Sequence, residues 1–288
     1  MISYPQRIAN VGTRVIEAGV IEAGTSGRPI VLVHGTGGRA DRWARNIDAL
    51  AAAGHRVWAF DLPGHGFASK GAGLDCSVPG YRKFLAAFLD EMKIDKPVIV
   101  GTSLGGHVVA SYACEHPERV SGIVLSGSMG LVPLGAEARG RVEAGANNQT
   151  YDGVKGKLAR VIFDPALVTQ GFIDEEYRIN NSFGAKESFA TLGRYIGQKL
   201  DDDVVGETFA KLTPHLPTLL LWGAEDKTVP VAVGEAAAKL LPGSRLVVLQ
   251  KAAHTSYYER ADDFNAVMID FLGGQLGRHK ADGVEYRA

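Results

Sequence analysis

Residues 98–106 run Val-Ile-Val-Gly-Thr-Ser-Leu-Gly-Gly, a short β-branched stretch that becomes helix-compatible at a serine with a glycine two residues to either side. A strand that gives way to a helix within one residue forces the residue at the bend into a strained backbone conformation. Gly101 and Gly105 remove the Cβ atoms that would collide there. The arrangement is a nucleophile elbow, which exposes a hydroxyl, here that of Ser103, at the carboxyl end of a strand. Five-residue Gly-x-Ser-x-Gly matches also arise by chance, and Ser103 has the alternative reading of an ordinary tight-turn residue. The apolar strand before it and the helical pattern after it supply the specificity.

The surrounding pattern extends the strand-to-helix theme. Residues 29–33 form a continuous apolar run of strand length, as do residues 56–60, 98–100, 122–126, 217–223 and 245–249. Such runs belong to parallel strands covered on both faces. Between them, residues 42–53, 79–93, 104–115, 231–240 and 261–272 carry apolar positions at helical spacing. This alternation predicts an α/β fold, a doubly wound and mostly parallel sheet. Residues 11–23, punctuated by glycines, suit an opening β-hairpin, and the tail from Gly273 is expected to fray. The rhythm breaks over 133–212, where helix-length polar segments replace buried strands. At about 80 residues this is too long for a plain loop and is expected to form an inserted helical lid, with 1–132 and 213–288 making the core.

A serine hydroxyl is a weak nucleophile at neutral pH and needs a base, itself oriented by a third group. Asp226 follows the strand at 217–223 and His254 follows the strand at 245–249, so both fall on the rim that carries Ser103. The order Ser, Asp, His is that of α/β hydrolases. Glu225 is the rival for the acid, and either carboxylate has the alternative role of capping the helix near Val231. Of the other histidines, His55, His65, His107, His116, His215 and His279 are expected to be packing or solvent residues. His34-Gly-Thr-Gly-Gly follows the first buried strand, where a glycine-rich turn can aim backbone N–H groups at a developing oxyanion. The expected donors are the amides of Thr36, with Gly37 as rival, and Leu104. No Lys-Ser/Thr pair or Gly-x-Gly-x-x-Gly fingerprint supports a phosphate cradle instead.

Composition narrows the ligand. With 31 basic and 32 acidic residues and no long like-charge run, nothing points to nucleic acid or an anionic membrane, and a small molecule is the expected partner of a monomer or homo-oligomer. The two cysteines, Cys76 and Cys114, lack metal-ligand spacing and are expected to be ordinary thiols. No metal or other cofactor is implied. The first ten residues lack an apolar signal region, and no apolar run approaches the roughly 20 residues of a membrane span, so a cytoplasmic protein is expected.

His34-Gly-Thr-Gly-Gly, Asp61-Leu-Pro-Gly-His-Gly, Gly101-Thr-Ser-Leu-Gly-Gly, His116-Pro-Glu-Arg-Val, Trp222-Gly-Ala-Glu-Asp226 and Ala253-His254 together resemble the α/β-hydrolase superfamily over about residues 10–273. Within it the chain is similar to the meta-cleavage-product hydrolases, which split a carbon–carbon bond in vinylogous 2-oxo acids. The lid segments Val161-Ile-Phe-Asp164, Leu167-Val-Thr169 and Arg178-Ile-Asn-Asn181 carry that likeness. By the resemblance Arg178 would bind the substrate carboxylate; the alternative is a surface ion pair with Asp174 or Glu175 on the same helix. The chain departs from that family at Thr102, where asparagine is usual, and at Thr255, where tryptophan is usual. Hydrolysis of an ester, lactone or amide is therefore the alternative to carbon–carbon cleavage. A receptor that reuses the fold is a third reading, opposed by the full set of candidate nucleophile, base and acid.

Overall fold

The computed structural model describes residues 6–10 and 17–287. Nine strands form one sheet: β1 (Gln6–Asn10), β2 (Glu17–Ala23), β3 (Pro29–Val33), β4 (Arg56–Phe60), β5 (Val98–Thr102), β6 (Gly122–Ser126), β7 (Thr218–Gly223), β8 (Arg245–Leu249) and β9 (Val284–Arg287), in the spatial order β1-β2-β4-β3-β5-β6-β7-β8-β9. Strands β3 to β8 pair in parallel. Strands β1, β2 and β9 join antiparallel at the two edges. The expected mostly parallel, doubly wound α/β sheet is present, with its buried runs at the expected places.

Along β3 the side chains divide between the faces as the strand period requires. Val31 and Val33 enter a core with helices α2 (Val78–Glu91) and α3 (Leu104–Glu115), while Ile30 and Leu32 enter one with α1 (Ala44–Ala52). Ser77 starts α2 by accepting the Gly80 amide at 3.1 Å, as an N-cap serine should. Because β4 and β5 lie on opposite sides of β3, the winding reverses there. A crevice opens at the carboxyl ends of β3 and β5, the usual ligand position in such sheets.

The segment between β6 and β7 folds as α4 (Ala136–Asn147), α5 (Tyr151–Val161), α6 (Gln170–Asn180), α7 (Ala185–Lys199) and the short α8 (Gly206–Phe209). Val154, Leu158, Ile162 and Ile173 form a small core of their own between α5 and α6. Thr169 caps α6 by accepting the Phe172 amide at 3.2 Å. After β7 come α9 (Val231–Leu240), the short α10 (Ser256–Glu259) and α11 (Ala261–Leu272).

Two expectations change at the ends. Residues 11–16 of the expected hairpin lie outside the described residues, and β2 pairs instead with β1, which the sequence pattern did not mark. The tail beyond Gly273 is not frayed throughout: β9 completes the edge of β8, with Val284 opposite Leu249. The Gly283 carbonyl accepts the Gln250 amide at 2.8 Å, and Arg260 holds the Asp282 carbonyl at 2.8 Å. Pairing satisfies edge N–H and C=O groups that a frayed tail would leave exposed.

Candidate active site

Ser103 sits between β5 and α3 with φ +55° and ψ −121°, far from the backbone regions that L residues favour. The loops are compressed around it. A Cβ on Gly101 would stand 2.5 Å from the Gly105 carbonyl oxygen, one on Gly105 would stand 2.4 Å from that of His34, and one on Gly35 would stand 2.7 Å from the Ser103 Cβ. The elbow therefore depends on glycines in both the β5–α3 turn and the β3 loop.

Asp226 and His254 come from the loops after β7 and β8. His254 Nδ1 lies 2.7 Å from Asp226 Oδ2 in a buried contact. The other carboxylate oxygen accepts the Thr228 and Val229 amides at 2.8 and 2.9 Å, which fixes the carboxylate plane. Glu225 turns elsewhere: its Oε2 accepts the Ala252 amide at 3.0 Å and ties the two loops together. Neither caps α9, whose N-cap is Pro230. Gly127, at φ +50°, closes over the pair, since a Cβ there would stand 3.1 Å from Asp226 Oδ2 and 3.2 Å from His254 Nδ1.

The glycine-rich loop after β3 is anchored by His34. Its Nε2 accepts the Leu62 amide at 2.9 Å, which leaves Nδ1 protonated and donating to the Gly35 carbonyl at 2.8 Å. Burial lowers its pKa to about 4, so the ring is neutral at neutral pH. Thr36 and Gly37 both border the crevice beside Ser103. The Leu104 side chain is in the core and borders neither hollow; the group it brings next to Ser103 is its amide, first in α3, which has no intrahelical partner by helix geometry.

The segment between β6 and β7 departs most from expectation. Arg178 is exposed on α6, its Nε donates to the Asp174 carbonyl at 3.2 Å, and it borders no part of the crevice. The reason is helical phase: Phe172 and Glu176, four residues apart, share the inner face, and Arg178 lies two positions on, about 200° round the helix. The inward charge on α6 is thus the opposite one. Glu176 is fully buried and accepts from Arg39 at 3.2 Å, from Arg42, and from Lys157 on α5 at 2.5 Å. Burial alone would raise its pKa, but Arg42, Lys157 and Arg39 outweigh it and hold the carboxyl well below the ordinary range. Arg39 also grips Asp41 at 2.9 Å and Glu175 at 3.1 Å.

Two hollows meet at Ser103 and His254, sharing Thr36, Gly37, Lys157 and Val161. Counting the solvent-open mouths, they hold about 570 and 730 Å³ of space between atoms. The first runs toward α6 past Thr102, Thr255, Tyr257 and Tyr258; the second runs toward α4 past Met129 and Val142. Arg42, Lys157 and Glu176 carried no motif and were missed from sequence. For Lys157 and Glu176 the signal was periodicity, since Lys157 and Val161 repeat on α5 at the four-residue spacing of Phe172 and Glu176 on α6. Among the described residues no cluster of metal-ligating side chains occurs, and no helix is long and apolar enough to cross a membrane.

The chain matches the alpha/beta hydrolase fold family over residues 28–261. It is 30% identical over 266 residues to a 2-hydroxy-6-oxononadienedioate/2-hydroxy-6-oxononatrienedioate hydrolase of Burkholderia vietnamiensis, covering 87% of this chain and 89% of that one. It is 33% identical over 253 residues to the dihydrolipoyllysine-residue acetyltransferase component of the acetoin cleaving system of Cupriavidus necator. That alignment takes in 87% of this chain but 65% of the relative's length. Among solved structures, a meta-cleavage product hydrolase from Pseudomonas fluorescens IP01, in a serine-to-alanine variant complexed with acetates, superposes with a TM-score of 0.82 at 25% identity. The match covers 93% of this chain and 97% of that one.

Proposed function

This chain belongs to the α/β-hydrolase fold family and is a hydrolase, and from that premise we propose that Ser103, His254 and Asp226 hydrolyse a small carbonyl substrate in the crevice beneath a lid formed by 133–212. One observation carries the reading: the hydrogen-bonded His254–Asp226 pair borders the same hollows as the strained Ser103. In this reading Asp226 accepts from Nδ1 and so leaves Nε2 as the base that takes a proton from Ser103 or from a water beside it. The Leu104 and Thr36 amides hold the oxyanion that forms, with Gly37 as the alternative donor to Thr36.

The favoured substrate is a 2-oxo acid with a second, vinylogous carbonyl. The 2-hydroxydienoate is first ketonised, a proton move in which His254 takes part. Attack of Ser103 or water on the second carbonyl and expulsion of the stabilised carbanion then break the carbon–carbon bond in a retro-Claisen step. His254 gives its proton to the carbanion, and where Ser103 has attacked, a water then hydrolyses the acyl-enzyme. Supporting this choice are the Burkholderia relative, named for hydrolysis of such a dioate, and the Pseudomonas structure. Hydrolysis of an ester, lactone or amide is the second reading, favoured by the threonines at 102 and 255, which both border the first hollow. The test is turnover of a conjugated 2-hydroxy-6-oxo-dienoate, followed by loss of its absorbance, beside 4-nitrophenyl acetate. Wild type should bleach the dienoate, and Ser103→Ala should cut that rate by on the order of 10³–10⁶ with an unchanged melting temperature. Turnover of the ester alone would move the function to the second reading, and undiminished turnover by Ser103→Ala would remove the serine from the mechanism.

A further inference from the structure

The two hollows that meet at Ser103 differ in the charge they offer a ligand. In the first, the cations Arg42 and Lys157 are both already paired with the buried Glu176. The second is bordered by Arg141, Arg160, Lys157 and Lys227 and by no Asp or Glu. Arg141 has an exposed partner in Glu137 on its own helix. Arg160, at the end of α5, and Lys227, next to Asp226 in the loop after β7, make no ion pair among the described residues. These two come from different elements, with Met129, Val142 and Val161 supplying apolar wall.

We propose that this second hollow is a carboxylate-binding subsite in which Arg160 and Lys227 select substrates carrying an anionic group on the α4 side of the reacting carbonyl. The inference rests on the reading of Ser103 and His254 as the reacting pair and deepens it by assigning the place of the negative charge. A carboxylate there replaces solvent around both cations, and because Ser103 and His254 border the same hollow the ligand is a small acid. In the first hollow both cations are already held by Glu176, itself a negative lining group, so that side is the weaker place for a carboxylate and takes the uncharged part of the substrate.

The test compares kcat/KM on three esters: 4-nitrophenyl valerate, 4-nitrophenyl hemiglutarate, which carries its carboxylate on the acyl side, and an acetate of a carboxylated nitrophenol, which carries it on the leaving group. Wild type should prefer one of the two anionic esters over the neutral one. Arg160→Met and Lys227→Met should each reduce that ratio about tenfold, through KM rather than kcat, and 0.5 M salt should reduce it in wild type. The outward-facing Arg178→Met should leave the ratio alone. Calorimetric binding of glutarate to Ser103→Ala, and to Ser103→Ala carrying Lys227→Met, reads the subsite without chemistry, with the second variant expected to bind about tenfold more weakly. Absence of ester turnover together with glutarate binding weakened by Lys227→Met would support the subsite and remove only ester hydrolysis, whereas failure of the Ser103→Ala dienoate test would strike the serine mechanism and leave the subsite standing. A preference for the neutral ester, or anion preference and glutarate affinity unmoved by both Arg160→Met and Lys227→Met, would overturn the proposal.

Discussion

Replacing Glu176 by Gln keeps the volume of the side chain and removes its charge, so it isolates what the buried carboxylate does. Breaking a buried ion pair by removing one partner costs about 3–5 kcal/mol, because the other charge is left without compensation. The structure places this case in the lower part of that range. Arg39 retains Asp41 and Glu175, and the Arg42 and Lys157 side chains keep 11% and 17% of their surface in solvent, so water relieves part of the loss. With unfolding entropy of about 2.1 cal/mol/K per residue, a chain of 288 residues gives about 0.6 kcal/mol/K, and a loss of about 3–4 kcal/mol lowers Tm by roughly 5–7 °C. The pH dependence follows from the same group. Its folded pKa lies below the ordinary value of 4.5, so its contribution is fully present above that pH and is lost as pH falls toward the folded pKa. Thermal melts of wild type and Glu176→Gln at pH 7 should differ by the stated amount, and the gap should narrow below about pH 4.5. A difference under 1 °C at pH 7, or a gap unchanged on acidification, would show that the three cations do not depend on Glu176.

Asp226→Asn should lower turnover by on the order of 10⁴, as in other triads where the amide favours the wrong imidazole tautomer. Glu225→Gln should act mainly on Tm through the Ala252 contact; steady-state kinetics that reversed this ranking would reassign the acid. His34→Ala should lower Tm and turnover together, since the Leu62 amide and the Gly35 carbonyl lose their partner, at about 1–3 kcal/mol for each unsatisfied group. Its remaining activity should keep the wild-type pH profile, and a shifted basic or acidic limb would show that His34 takes part in proton transfer.

The elements that the sequence made legible are those whose physics is local. A fully buried parallel strand such as 98–102 needs an apolar run, a strand-to-helix bend needs glycine at 101 and 105, and both demands appear in the letters themselves. Asp226 and His254 were legible for a related reason, because residues just past strand carboxyl ends share one rim however the helices pack. Strand β9 was not legible: Val284–Arg287 has no buried run, and its pairing depends on the open edge of β8, a partner more than thirty residues away.

Arg178 shows the other limit, since there the residue type was right for the task and its direction was wrong. The phase of α6 was in fact available, because Thr169 fixes the start of the helix and Ile173, Glu176 and Asn180 recur at three- and four-residue spacing along one stripe, with Arg178 outside it. Arg178 was assigned by resemblance and not by phase, and the phase itself carries a difficulty, since a lone carboxylate at 176 on an inward stripe looks like an error in the pattern. The contradiction dissolves only when Arg39, Arg42 and Lys157 are brought to it by tertiary packing, two of them from the loop and 3₁₀ turn after Gly38 and one from α5. A buried acid on α6 is thus a statement about its surroundings: it requires cations from other elements, and those it takes are less available to a substrate. That requirement moves the ligand's charge away from α6 and toward the cations that Glu176 does not reach, Arg160 and Lys227.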